Sequence, residues 1–278
     1  MFGTAGAGGR DLLCNLYRPR EVDEGASELR PAVLVIFGGG WRSGDHRNAG
    51  PNRIAKHLCA AGYVAVCCEH RNFPEAKWPA FIHDCKAAVR YMRAEAARLR
   101  LDPLRVGVVG LSSGGHSALM LAATTAASCP EFEGEGGHSA FSSDVQSCVA
   151  WFCNVDMVGN PYFGSMMEES ASESDAAKAS PIHHVTGSPG HGVRPRADFP
   201  PTCMLCGAAD EQVDPQDSLD MYTALQRQGI QSELHLLAQT AHSDGEFRLR
   251  SQEISQARVP LLVAFWLAAL TAASPVAQ

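Results

Sequence analysis

The chain has 278 residues, 45% of them hydrophobic and 19% charged, and a formal net charge of −7. That composition suits a globular chain with a large buried core, and one domain is expected because large α/β domains reach roughly 200–250 residues. The acidic balance argues against a nucleic-acid-binding surface, so nucleic acid is not an expected partner.

In chain order, the N-terminal stretch MFGTAGAGGRDLL lacks a positive flank followed by an apolar run and does not read as a signal peptide. AVLVIF (32–37) is the first buried strand and YVAVCC (63–68) the second. RVGVVG (105–110), VQSCVAWF (145–152), PTCMLC (201–206) and SELHLL (232–237) continue the series. Helical patterns fill 51–61, 79–100, 113–127, 215–229 and 246–270. In the second of these, Phe81, Cys85, Ala88, Val89 and Met92 fall on one stripe at helical spacing. Continuous apolar strands alternating with helices predict a doubly wound α/β fold with a mostly parallel sheet covered on both faces.

The longest apolar run begins at Val259, falls short of the ~18 residues a membrane span needs, and contains Pro260. It reads as a buried C-terminal helix, and no membrane span is expected. Ten cysteines sit mostly in apolar runs, as Cys67, Cys68, Cys148 and Cys153 do, where a free thiol behaves as a small hydrophobe. Reduced core thiols suit a reducing compartment, which makes the cytoplasm the expected location. Cys203 and Cys206 have knuckle spacing but no second pair, so no metal is expected. Two segments, 128–144 and 160–199, interrupt the rhythm with Gly, Ser, Pro and acidic residues. Both are expected as inserts at the carboxyl edge of the sheet, where open α/β sheets hold ligands, and as lids or disordered stretches.

GLSSG (110–114) follows a strand and precedes a helix. In that setting G-x-S-x-G describes a sharp turn that lifts Ser112 above the sheet at a helix N-terminus. The positions two before and two after the serine crowd together, which favours glycine at both. The plainer reading makes Ser112 a helix cap. The stretch VIFGGGWRSGD (35–45) places three glycines directly after a buried strand. Main-chain N–H groups of Gly39 and Gly40, with that of Ser113, could converge on an oxyanion. No phosphate-loop pattern competes. Past the last two strands lie Asp210 and His242, which complete the chain order Ser, Asp, His known for this turn. His242 would take the Ser112 proton and Asp210 would orient the imidazole. Asp214 is a rival acid in the same loop, and Asp244 is too near His242 in sequence to serve.

With these residues in place the chain resembles α/β-hydrolase esterases of the carboxylesterase and hormone-sensitive-lipase-like type. It is most similar to small bacterial esterases of the acetyl-xylan or feruloyl esterase-like group. The likeness runs through LYRPRE, FGGGWRSGD, DPLRVGVVGLSSGGHSALMLA, ASPIHHV, CGAADEQV and AHSDGEF. It implies the α/β-hydrolase fold, no cofactor, a small-molecule ester substrate and a serine esterase mechanism with a preference for short acyl chains. Three positions depart from the pattern. Phe37 stands where the family usually has a histidine that braces the glycine loop, Ser113 replaces the usual alanine, and His70 replaces a frequent tyrosine. Trp41 is assigned to the acyl pocket, with a buried loop aromatic as the alternative. His116 reads as a packed helix residue, His183 and His184 as core-directed, and Arg71 with Asp84 as a framework ion pair. Two further readings of function stay open: an amide hydrolase such as an aryl-formamidase or a prolyl-oligopeptidase-like peptidase, and a non-catalytic binding protein on the same scaffold.

Overall fold

The computed structural model describes residues 1–6, 9–19 and 29–242, so the helix expected over 246–270 lies outside the described residues. A two-stranded antiparallel ribbon, β1 (Gly3–Thr4) and β2 (Asp11–Leu12), precedes the main sheet. The sheet contains β3 (Cys14–Tyr17), β4 (Arg30–Ile36), β5 (Val64–Cys68), β6 (Leu101–Leu111), β7 (Ser147–Trp151), β8 (Thr202–Gly207) and β9 (Ser232–Leu237). Its spatial order is β3-β5-β4-β6-β7-β8-β9, with β3 antiparallel and every other pairing parallel. The antiparallel β3 and the ribbon are additions to the six strands expected from the sequence.

A strand's side chains alternate between faces, and β4 distributes its apolar residues accordingly. Ala32, Leu34 and Ile36 join the larger core cluster, while Val33 and Val35 join a second cluster on the opposite face. The second cluster receives Ile54, Ala55 and Leu58 from α1 (Ala49–Ala60). The larger one receives Phe81, Cys85, Ala88, Val89 and Met92 from α2 (Ala80–Ala94), all fully buried, so the helical stripe in the sequence is the face turned inward. The expected 79–100 helix is interrupted at Glu95. It resumes as the single turn α3 (Ala96–Leu99), which Arg100 ends in a left-handed conformation. The central helix α4 (Ser113–Ala123) is buried all round, as its apolar composition requires.

The 160–199 segment leaves the carboxyl end of β7 and is packed as short helices: α5 (Pro161–Gly164), α6 (Glu173–Lys178) and α7 (His183–Thr186). Phe163, Ala177 and Val185 bury it in the core. The 128–144 segment joins the end of α4 to the beginning of β7 and runs along α2: His83 Nε2 lies 3.0 Å from the Glu131 carbonyl oxygen, and the Phe132 and Trp78 ring centroids are 5.7 Å apart. The Glu133 carboxylate accepts from Lys86 Nζ and Arg90 Nη1, both at 2.8 Å, and Arg93 Nη1 donates to the Ser142 carbonyl at 2.7 Å. The last helix among the described residues, α8 (Pro215–Arg227), connects β8 to β9. Among the described residues no helix is long and apolar enough to cross a membrane.

Candidate active site

The strand β6 runs straight into α4 through Ser112, whose backbone sits at φ 54°, ψ −122°. A non-glycine residue in that region costs about 1–3 kcal/mol and persists only where the surroundings enforce it. The enforcement is visible on both sides. A Cβ on Gly110 would lie 1.9 Å from the Gly114 carbonyl oxygen, and one on Gly114 would lie 2.3 Å from that of Phe37. Only glycines let the turn close, which is the crowding the sequence pattern implies.

His242 and Asp210 reach Ser112 because the turns after β8 and β9 are tied together. Ala208 N–H donates to the Leu237 carbonyl at 2.8 Å and Ala209 N–H to that of Thr240 at 3.0 Å. Ser112 Oγ lies 3.0 Å from His242 Nε2, and His242 Nδ1 lies 2.7 Å from Asp210 Oδ2. A carboxylate offers only acceptors, so Nδ1 carries the ring proton and Nε2 is free to accept from the serine hydroxyl. The other Asp210 oxygen accepts from the Gln212 and Val213 N–H groups at 2.9 and 3.0 Å. Both side chains are sheltered, at 9% exposure for His242 and 0% for Asp210. The ring of Phe152 meets His242 edge-on at 4.8 Å. Asp214 stands apart from this group: it caps α8, accepting from Gln216 N–H at 2.9 Å.

The glycine loop closes over the serine. Gly39 and Gly40 have φ of 138° and 62°, and with Ser112 and His242 they line a cavity of about 420 Å³. Among the described residues no backbone acceptor takes the N–H groups of Gly39, Gly40 or Ser113. Ser113 is the first residue of α4, where helix N–H groups are unpaired by geometry. Residues the sequence did not single out complete the wall: Asn48, Pro51, Leu111, Phe152, Tyr162 and Gln212. A larger cavity of about 910 Å³ lies across the 157–176 region and contains none of Ser112, Asp210 and His242.

Trp41 departs from its expected place. It is buried behind the loop against His116 and Phe163, each with ring centroids 5.2 Å away, and it does not line the cavity. Its backbone lies at a positive φ of 56°. His116 is packed as expected; its Nε2–H donates to the Ala179 carbonyl at 2.8 Å, and burial holds the ring at about 4, well below the ordinary 6.5. His184 Nε2–H donates to the Lys178 carbonyl at 2.8 Å, and Arg71 grips Asp84 with two bonds of 2.8 and 2.9 Å. Cys203 and Cys206, three apart on a strand, point to opposite faces and cannot share a metal. Cys203 does lie near Glu233 and His235, but burial pushes its thiol up to about 12, and none of the three lines the cavity. All ten cysteines are free thiols.

This architecture is the α/β-hydrolase fold. It aligns, over 94% of this chain and 90% of the other, with a propionate-bound esterase, Est2, of the Planctomycetes species Thermogutta terrifontis, at a TM-score of 0.78 and 24% identity. Within that class, residues 15–225 match the BD-FAE family model, and the chain belongs to the BD-FAE family. Two relatives from Mycobacterium tuberculosis are a probable carboxylic ester hydrolase, LipM, and the esterase LipQ. LipM is 25% identical over 76% of this chain and 48% of its own length. LipQ is 25% identical over 91% of this chain and 59% of its own length. The chain thus spans about half the length of these relatives.

Proposed function

We propose that this chain hydrolyses carboxylic esters through an acyl-enzyme on Ser112, with His242 as general base and acid and Asp210 as the group that orients it. The observation that carries this reading is the unbroken relay from Ser112 Oγ to His242 (3.0 Å) and on to Asp210 (2.7 Å) at the floor of a cavity. The names of the two relatives support the same reaction class.

Attack begins as the Ser112 hydroxyl gives its proton to His242 Nε2 and its oxygen bonds to the ester carbon. The carbonyl oxygen becomes an anion facing the N–H groups of Gly39, Gly40 and Ser113, a setting in which one donor contributes roughly 2.7–4 kcal/mol. Asp210 offsets the positive charge gained by the imidazole. Collapse of the intermediate breaks the bond to the alcohol, which leaves with the proton returned by His242. A water molecule, deprotonated by the same Nε2, then releases the acid from Ser112.

The cavity volume of about 420 Å³ and a wall containing Asn48, Tyr162 and Gln212 favour short acyl groups over long alkyl chains. Turnover of p-nitrophenyl acetate is expected to exceed that of the decanoate ester and to vanish in Ser112→Ala with the circular dichroism spectrum unchanged. An aryl formamide serves as the amide comparison, and faster turnover of it than of the acetate would reassign the reaction.

A further inference from the structure

We propose that Tyr162, carried by the 160–199 segment, is a positioning residue that holds the oxyanion-binding glycine loop; the inference rests on the ester-hydrolysis reading above.

The loop needs a brace. Gly39, Gly40 and Trp41 all lie at positive φ (138°, 62° and 56°), outside any helix or strand, in a turn closed by the Arg42 and Ser43 N–H groups on the Gly39 carbonyl at 3.1 and 3.2 Å. Two N–H donors on such a backbone stabilise an oxyanion only if they are aimed before the charge develops. The side chain that follows the preceding strand cannot do this by hydrogen bonding. The Phe37 side chain has no polar atom and stacks on His70, with ring centroids 4.2 Å apart and planes within 10°.

The bond comes instead from the far side. Tyr162 Oη donates to the Gly40 carbonyl at 3.1 Å, and a Cβ on Gly40 would lie 2.5 Å from that oxygen. The carbonyl belongs to the peptide joining Gly40 to Trp41. On its other side that peptide is fixed by the buried Trp41 ring and by Phe73 N–H, which donates to the Trp41 carbonyl at 2.7 Å. The Gly40 N–H belongs to the preceding peptide, whose Gly39 carbonyl accepts from the Arg42 and Ser43 N–H groups; with the following peptide tied by Tyr162, both peptides flanking the Gly40 Cα are restrained and the N–H keeps its direction.

Tyr162 is half-exposed, and its backbone is anchored. The next residue, Phe163, is fully buried against Trp41, Trp78 and His116. Ser165 Oγ donates to the Tyr162 carbonyl at 2.7 Å and accepts from Arg42 Nη2 at 2.8 Å. The Arg42 guanidinium also lies over the Tyr162 ring, 5.2 Å from its centroid. Loop and insert are therefore joined at two points, Gly40 to Tyr162 and Arg42 to Ser165. The insert shapes catalysis through the backbone as well as lining the cavity.

Tyr162→Phe removes the hydroxyl and keeps the ring, which makes it the discriminating variant. Because the donors stay in place and lose only their aim, kcat for p-nitrophenyl acetate is expected to fall about tenfold, less than the 10²–10³ of deleting a donor outright. KM should stay within about twofold, and a trifluoromethyl ketone that mimics the tetrahedral intermediate should lose affinity by the same factor as kcat/KM. An unchanged kcat, or a loss confined to KM, would overturn the assignment and leave Tyr162 as cavity wall. Labelling of Ser112 by a fluorophosphonate separates the two proposals. If wild type and Tyr162→Phe label at equal rates, the brace fails alone; if wild type neither labels nor turns over ester, both fall.

Discussion

The carbonyl oxygen of Gly114 occupies the place where a side chain on Gly110 would begin, 1.9 Å from an ideal Cβ. The obstacle is main chain, so no rotamer relieves it. Gly110→Ala is expected to open the turn under Ser112, to cost stability by about 1–3 kcal/mol or more, and to abolish ester turnover. Thermal melting followed by circular dichroism, with p-nitrophenyl acetate assays on the folded fraction, checks both effects.

The two acids of the 210–214 loop should separate cleanly. Asp210→Asn keeps the shape but can present an N–H to His242, so kcat should fall by on the order of 10³–10⁴. Asp214→Ala removes only the cap of α8, at about 1 kcal/mol of stability with turnover preserved. Steady-state kinetics and urea midpoints on both variants test the assignment, and the reverse pattern would exchange their roles.

The position of these groups was legible in the sequence because each rests on local chemistry. Ser112 is announced by a strand, a glycine-flanked turn and a helix, and Asp210 and His242 by the ends of two apolar strands. Trp41 was not, since the direction of a side chain after three glycines depends on a positive φ that residue types do not encode. Tyr162 was missed for a different reason. Asn160 and Pro161 signal the start of a short helix, with Asn160 Oδ1 accepting from Phe163 N–H at 3.0 Å, but nothing local says which loop that helix covers. The strand β3 and the ribbon are too short to show a period.

Lys86 is fully buried, with its ammonium held by Glu133, Ser143 Oγ and the Thr124 carbonyl. Burial pushes its pKa down and Glu133 opposes that. Glu133→Ala leaves Lys86 and Arg90 without their shared carboxylate and is expected to cost about 3 kcal/mol. Because neither Glu133 nor Lys86 lines the cavity at Ser112, kcat should be unaffected. Lys86→Met, which removes the buried charge as well, should cost less. Chemical denaturation of the two variants decides the order.

Acid should destabilise the fold through its buried histidines. His116 is held at about 4 against an ordinary 6.5, with burial as the cause and the Ala179 carbonyl opposing it; burial also pushes His70 and His184 down. A group held neutral in the fold binds fewer protons than its unfolded counterpart between those two values. Its contribution is therefore complete above pH 6.5 and is lost as pH falls toward about 4, up to about 3 kcal/mol for His116. Urea midpoints should drop between about pH 7 and about pH 5. The drop should be smaller in His116→Leu, and an equal slope in that variant would contradict the account.

The central claim concerns a covalent bond to one oxygen. Rapid quenching of the reaction with p-nitrophenyl acetate in acid, followed by mass spectrometry of the proteolytic peptides, reads that bond directly. One acetyl group on the peptide containing Ser112, absent in Ser112→Ala and in His242→Ala, is the predicted result. Ester turnover with no acetyl group on that peptide, or with the group on another residue, would contradict it.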